Sequence, residues 1–225
     1  MTTDSFFDEI VSLYNNAAKV STSFRRANIH RSRQHSISSL SEDLLAAYLF
    51  DNLRGLFQDI KLHFMVDYAI QPDNIGAKLM PDIAIIVEKE NPIIVSYIDL
   101  KTDLGFKREY FERLPKISEN ILRIREAEFI GPKTQEGNPI SPSKTIIWRT
   151  VVISDTNIPK ILLKRNKSEA ERWEEVFKLY FLSGDKHPNA KDRGNIKIYE
   201  GVFNMLLNDI QKDIQNAIDT PNAGK

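Results

Sequence analysis

The chain predicts an α/β fold, a central mixed β-sheet flanked by helices. Three observations carry this. Two continuous apolar runs, Ile83-Ala84-Ile85-Ile86-Val87 and Ile93-Ile94-Val95-Ser96-Tyr97-Ile98, read as strands buried on both faces. Amphipathic helical patterns stand on either side of them. The order helix, strands, helix, strand, helices suits a single sheet. We expect one domain over 1–219, with its core at about 36–155, a helical C-terminal part at 166–219 and a short tail at 220–225.

The elements follow in order. Phe6, Phe7, Ile10, Val11 and Tyr14 mark one face of a helix over 5–18. Residues 21–35 hold Arg25, Arg26, Arg31, Arg33, His30 and His35 with no acid, which reads as a loop or arm. A second helix starts near Leu40, where Ser39 and Glu42 have the spacing of a capping box. Leu62, Phe64, Val66, Tyr68 and Ile70 then alternate as a strand, and Pro72, Asp73, Asn74 and Gly76 form a turn. Asn91-Pro92 lies in the short charged connection between the two apolar runs, which suits a hairpin. A helical pattern follows Gly105, and Pro115 either kinks it or starts a second helix. Residues 131–144 read as a loop and 145–154 as another buried strand. Ser168 and Glu171 form a second capping box, opening a helix with Trp173, Val176, Phe177 and Tyr180. A polar loop at 183–195 precedes a last helix carrying Phe203, Leu206, Leu207, Ile210, Ile214 and Ile218.

Composition narrows the chemistry. The 225 residues include no cysteine, which excludes thiolate zinc sites and cysteine nucleophiles. The four histidines are scattered, and no phosphate-binding glycine loop or serine elbow is present. No apolar run approaches the roughly 18 residues of a membrane helix. The first ten residues carry three acids and no basic side chain, unlike a signal peptide, so the expected setting is the cytoplasm. Lys+Arg and Asp+Glu are 31 each. Zero net charge argues against coating nucleic acid by bulk charge, yet allows a basic cleft on a neutral body.

Carboxylate chemistry remains. Asp82, in Pro81-Asp82, stands at the mouth of the first apolar strand, and Asp99-Leu100-Lys101 closes the second. In an antiparallel hairpin the start of one strand lies beside the end of the other, so Asp82 and Asp99 become neighbours. Residues 99 and 101 share a face because side chains alternate along a strand. Two close carboxylates repel unless a cation lies between them, and hard oxygen ligands favour Mg²⁺.

This arrangement resembles the PD-(D/E)XK nuclease superfamily, with its restriction-endonuclease-like core. The resemblance rests on Pro81-Asp82, on Asp99-Leu100-Lys101 and on the element order over roughly 36–155. It implies a metal-dependent endonuclease that hydrolyses DNA phosphodiester bonds, in restriction or DNA defence. Asp82, Asp99 and the carbonyl of Leu100 would hold Mg²⁺, with Mn²⁺ as a substitute. Lys101 would position the attacking water, and Glu42, ahead of the motif on its helix, would assist. The arginines at 25, 26, 31 and 33 would contact the phosphates of double-stranded DNA, and cutting both strands would require a homodimer or two binding events.

Plainer readings stand beside these. Asp99 and Lys101 also make an ordinary charged pair where a strand leaves the core, and Glu42 also serves as the acid of its capping box. Asp59-Ile60-Lys61 and Pro72-Asp73 repeat the two half-motifs outside that setting. The functional alternative is a catalytically inactive nuclease-fold module that binds DNA or protein.

Overall fold

The computed structural model describes residues 1–26, 37–73, 80–104, 109–131, 139–189 and 196–220, with 21–26 described through the backbone alone. The first amphipathic pattern forms α1 (Thr3–Arg26), which buries Phe6, Phe7, Ile10 and Val11. It continues through Arg26, so the beginning of the expected arm is helical. No Gly or Pro interrupts 19–26, and extending a formed helix costs little. The arm's remaining arginines, Arg31 and Arg33, lie outside the described residues.

The second helix, α2, covers Ser38–Leu53. Next, β1 (Leu62–Val66) is shorter than the alternation predicted, because Asp67 takes a φ of 53° and turns the chain out of the ladder. Pro72, expected in a turn, instead belongs to β2 (Gln71–Pro72). The apolar runs are β3 (Ile83–Val87) and β4 (Ile93–Lys101). A 3-10 turn at Tyr110–Arg113 leads into α3 (Leu114–Glu126), with Pro115 in its first turn, where a missing N–H breaks no helical bond. After β5 (Ile130–Gly131), β6 covers Ser141–Val152 and so starts inside the expected loop.

The helix expected to open at Ser168 does not form there. The helix here is α4 (Lys160–Arg172), and Val176, Phe177 and Tyr180 fall at or within β7 (Phe177–Phe181). The stretch 166–219 is therefore not wholly helical. Ser168 and Glu171 lie in the later turns of α4 and open nothing. A short apolar run such as 176–181 satisfies both periods, and pairing with β6 decides between them. The chain ends in a short pair, β8 (Ser183–Gly184) with β9 (Lys197–Ile198), and α5 (Glu200–Asp219).

Five strands form one mixed sheet in the order β1-β3-β4-β6-β7. The β1–β3 and β3–β4 pairs are antiparallel, and β4–β6 and β6–β7 are parallel. One face is covered by α1, α2 and α5, whose Phe6, Leu49 and Phe203 pack with Ile83, Ile85 and Ile98. On the other face, α3 and α4 pack with Tyr97, Val152 and Phe177 through Ile121, Leu114 and Ala170. No helix of the described residues is long and apolar enough to cross a membrane.

A charged pair ties α5 to the sheet. Arg149 on β6 is fully buried, meets Asp213 Oδ2 at 2.5 Å and donates to Ser96 Oγ at 2.8 Å. Burial pushes the Asp213 carboxyl up and the guanidinium opposes the shift. Such a pair is costly to break from one side, because the survivor is an uncompensated buried charge. We expect Asp213→Ala to lower the unfolding free energy by about 3–5 kcal/mol. The double replacement Arg149→Met with Asp213→Leu costs much less than that, and denaturant titration of the three proteins measures the difference.

Candidate metal centre

The site is built by strand register at one end of the sheet. Val66 of β1 pairs with Ile83 of β3, and Ile83 pairs with Ile98 of β4. One residue further along each strand stand Asp67, Asp82 and Asp99, side by side. The Asp67 N–H donates to the Asp82 carbonyl at 3.0 Å, which carries the pairing out to these positions.

Asp82, Asp99 and Lys101 come together. The Asp82 Oδ2 accepts the Leu100 N–H at 2.5 Å and lies 3.6 Å from Lys101 Nζ. Lys101 Nζ also pairs with Asp99 Oδ1 and donates to the Leu100 carbonyl at 3.1 Å. The other Asp99 oxygen accepts from the Tyr110 hydroxyl at 3.3 Å, and the Thr150 hydroxyl lies 2.9 Å from the Tyr110 oxygen. Asp99 is thus held from both sides, and the Leu100 carbonyl already takes a bond from Lys101.

Glu42 reaches the same place from α2, on the opposite layer. The capping-box expectation for it fails. Ile37 is the N-cap of α2, Ser39 lies inside the helix, and no side chain caps it. Ser41 bonds back to the carbonyls of Ile37 and Ser38 instead. Glu42 is a buried residue, only 7% exposed, and no hydrogen bond or ion pair to its carboxylate occurs among the described residues.

Oxygens of Glu42, Asp67 and Asp82 all lie within 4.8 Å of one another. Oxygens bound to Ca²⁺ at about 2.4 Å reach about 4.8 Å apart and those bound to Mg²⁺ at about 2.1 Å only about 4.2 Å, so a spacing within 4.8 Å meets the Ca²⁺ limit and any wider oxygen pair would close by a few tenths of an ångström around Mg²⁺. Glu42 is buried, Asp82 half-buried and Asp67 exposed, so the trio opens to solvent on one side. Asp99 is not of the trio. The oxygen cluster sits toward β1 and α2, and the Asp99–Lys101–Tyr110 group toward β6.

Asp67 escaped the sequence reading. It stood inside an apparent alternation that ran on to Ile70, and a left-handed aspartate at a strand end leaves no periodic signal. Tyr110 was also missed as a polar contact, since its spacing marks it as an apolar helix position. Arg25 and Arg26 belong to α1 by their backbone, and their side chains lie outside what the structure describes.

The electrostatics follow from the crowding. Burial and the charges of Asp82 and Asp67 push the Glu42 carboxyl up to about 7, against the pull of Lys101. Burial also raises Asp82; Lys101 and the Leu100 N–H oppose the rise and Asp99 adds to it. Burial pushes the Tyr110 phenol well up, and the Asp99 charge adds to the shift. A buried carboxylate with like-charged neighbours and no hydrogen-bond donor is the condition a bound cation relieves.

Compared with protein-family models, with curated proteins and with solved structures, the chain matches none.

A pH dependence follows in EDTA. Glu42 is raised in the folded protein, so its contribution to stability is present below its usual value near 4.5 and is lost as pH rises through about 7. Glu42→Gln removes that loss. Its melting temperature should exceed that of the wild type at pH 8 and match it near pH 4, as thermal unfolding at both pH values measures. A Glu42→Gln protein no more stable than the wild type at pH 8 would contradict the crowding.

Proposed function

We propose that this chain is a Mg²⁺-dependent endonuclease of the restriction-endonuclease-like class, acting on phosphodiester bonds of double-stranded DNA. The observation that carries the reading is the meeting of Asp82, Asp99 and Lys101 at one sheet end, with Glu42 beside them. The motif of the sequence and the contacts of the fold coincide there. An α/β core with a five-stranded mixed sheet is compatible with that class.

Glu42, Asp67 and Asp82 are the residues fitted to hold the cation, with Mn²⁺ an acceptable substitute. When bound, it supplies Lewis-acid polarisation of a phosphate oxygen and acidifies a water. The protein's own groups do the rest. Lys101 Nζ, between Asp82 and Asp99, places a positive charge where the attacking water and the developing negative charge must sit. Asp99 orients that ammonium through its own oxygen. Tyr110, itself bonded to Thr150 of β6, orients Asp99. The Leu100 N–H fixes one Asp82 oxygen.

One observation favours the second reading, a nuclease-fold module that binds without cutting. Both Asp99 oxygens and the Leu100 carbonyl already have partners within the protein. In that reading the acids and Lys101 form a self-satisfied charge cluster.

Cleavage of supercoiled plasmid separates the two. The wild type should relax and linearise plasmid with Mg²⁺ and not with EDTA. Asp82→Ala and Lys101→Ala should each lose about 10²–10⁴-fold in rate while remaining folded, the size expected for removing a positioned acid, base or charge. Tyr110→Phe should lose less, because it acts only through Asp99. Folded wild-type protein that cuts neither DNA nor RNA across Mg²⁺, Mn²⁺ and Ca²⁺ would favour the module without catalysis.

A further inference from the structure

The net charge of zero conceals a segregation between the two faces of the sheet. On the face of α1, α2 and α5, α2 carries Glu42, Asp43 and Asp51 and no base. There α5 carries Glu200, Asp209, Asp213 and Asp219 against Lys212, with Asp209 paired to Lys178 and Asp213 to Arg149 of the sheet, and α1 is balanced. On the opposite face α4 carries Lys160, Lys164, Arg165, Lys167 and Arg172 against Glu169 and Glu171.

The first two turns of α4 are free to meet a ligand. Lys160, Lys164, Arg165 and Lys167 are all exposed, and none makes an ion pair among the described residues. Arg165 lies over the Phe111 ring at 3.9 Å and Lys167 over Phe181 at 5.2 Å, contacts that hold the cations without neutralising them. Of the acids on elements packed with α4, Glu169 is taken up by Arg172 and Trp173, and Glu112, Glu171 and Glu174 remain. Ile161 on the same turns is 77% exposed, the most exposed large apolar side chain among the described residues.

This basic surface is joined to the carboxylate site. β6 runs parallel to β4, with Val152 beside Lys101, and α4 starts eight positions after the end of β6. The start of α4 therefore lies at the motif's end of the sheet. Phe111 donates its N–H to Asn166 of α4 at 2.7 Å, and the adjacent Tyr110 bonds Asp99. Asp99 and Lys101, like Tyr97, point to the face that α3 and α4 cover, where the Tyr110 ring also packs.

We infer that the exposed first half of α4 is the surface on which the phosphate backbone of duplex DNA docks, so that the strand reaches the carboxylates from the α4 side and not from the α2–α5 side. The substrate assignment rests on the function proposed above; the choice of side rests on the charge segregation. Phosphate contacts of this kind add affinity and position without reading sequence, and each one adds about 0.9 to the slope of log affinity against log salt. Ile161 adds an apolar point of the kind that lies against a sugar or a thymine methyl.

The test compares two charge-matched double variants in EDTA, where no cutting intervenes. One is Lys160→Gln with Lys164→Gln on α4. The other is Lys19→Gln with Lys212→Gln, exposed lysines on the opposite face. Binding of a labelled duplex is measured by anisotropy across a salt series, and thermal unfolding checks that both variants fold as the wild type does. The α4 variant should bind on the order of tenfold more weakly near about 0.1 M salt, with a slope smaller by about 2. The control should bind as the wild type does. Equal weakening of both variants would mean that net charge alone matters, and would overturn the inference. So would an α4 variant that binds as the wild type does, a wild type that binds no duplex, or tighter α4-dependent binding of single-stranded RNA. Hydrolysis of bis(p-nitrophenyl) phosphate by the wild type with Mn²⁺ reads the carboxylate site separately. No turnover there and no cleavage of plasmid with Mg²⁺ or Mn²⁺, with α4-dependent duplex binding intact, would sink the nuclease reading and leave the docking surface standing.

Discussion

The register of the three antiparallel strands is the constraint on which the candidate site depends. Backbone bonds pair Val66 with Ile83 and Ile83 with Ile98, and this sets Asp67, Asp82 and Asp99 in a row. The β3–β4 pairing contains a shift between Ile85 and Ile86. From the turn outward, Val87 meets Ile93 and Ile86 meets Ile94, but Ile85 meets Ser96. The extra residue, Val95, is a bulge, and its effect is carried to the end of the strand. Without it Asp82 would stand opposite Ile98, and Asp99 would be out of step with its partner. A bulge in the middle of a buried hairpin therefore decides which side chain faces Asp82 at its end.

Around that row the fold supplies charge from both layers. Glu42 comes from α2 on one face, and Tyr110 comes from the 3-10 turn on the other. Lys101 is the one cation within reach of both Asp82 and Asp99 among the described residues. Its position between them offsets part of a repulsion that burial would otherwise make expensive. The same logic operates deeper in the molecule, where Arg149 and Asp213 hold α5 against β6. In both places ionised groups occur where strands and helices from different parts of the chain must keep a fixed relation. Lys160, Lys164, Arg165 and Lys167 of α4 make no ion pair among the described residues, whereas Asp209 and Asp213 of α5 are paired with Lys178 and Arg149.

The hairpin motif and most helices were legible because their signals are local. Ile83–Val87 and the first part of Ile93–Lys101 are apolar runs rich in β-branched residues, and the helix of Phe203, Leu206 and Ile210 keeps its period through Ala217. The failures have a common cause. Phe177–Phe181 became a strand because β6 offers it an edge, although its spacing with Trp173 suits a helix equally well. Ser39 with Glu42 and Ser168 with Glu171 have the spacing of capping boxes, yet each pair falls inside a helix that begins earlier. A spacing of three residues fits both a cap and an ordinary helical turn, so it cannot locate a boundary by itself.

The sequence alone determined the α/β class, the buried hairpin, and the candidacy of Asp82, Asp99, Lys101 and Glu42. Each of these follows from residue type and short-range spacing, which are properties of the chain before it folds. Only the tertiary structure decided that Glu42 is free of a capping role, that Asp67 joins Glu42 and Asp82, that Tyr110 holds Asp99, and that the exposed bases of α4 stand on the sheet face opposite α2 and α5. These depend on strand register, on one bulge and on which helix covers which face of the sheet. Register and layer assignment arise from pairings between residues far apart in the chain, and local spacing does not encode them.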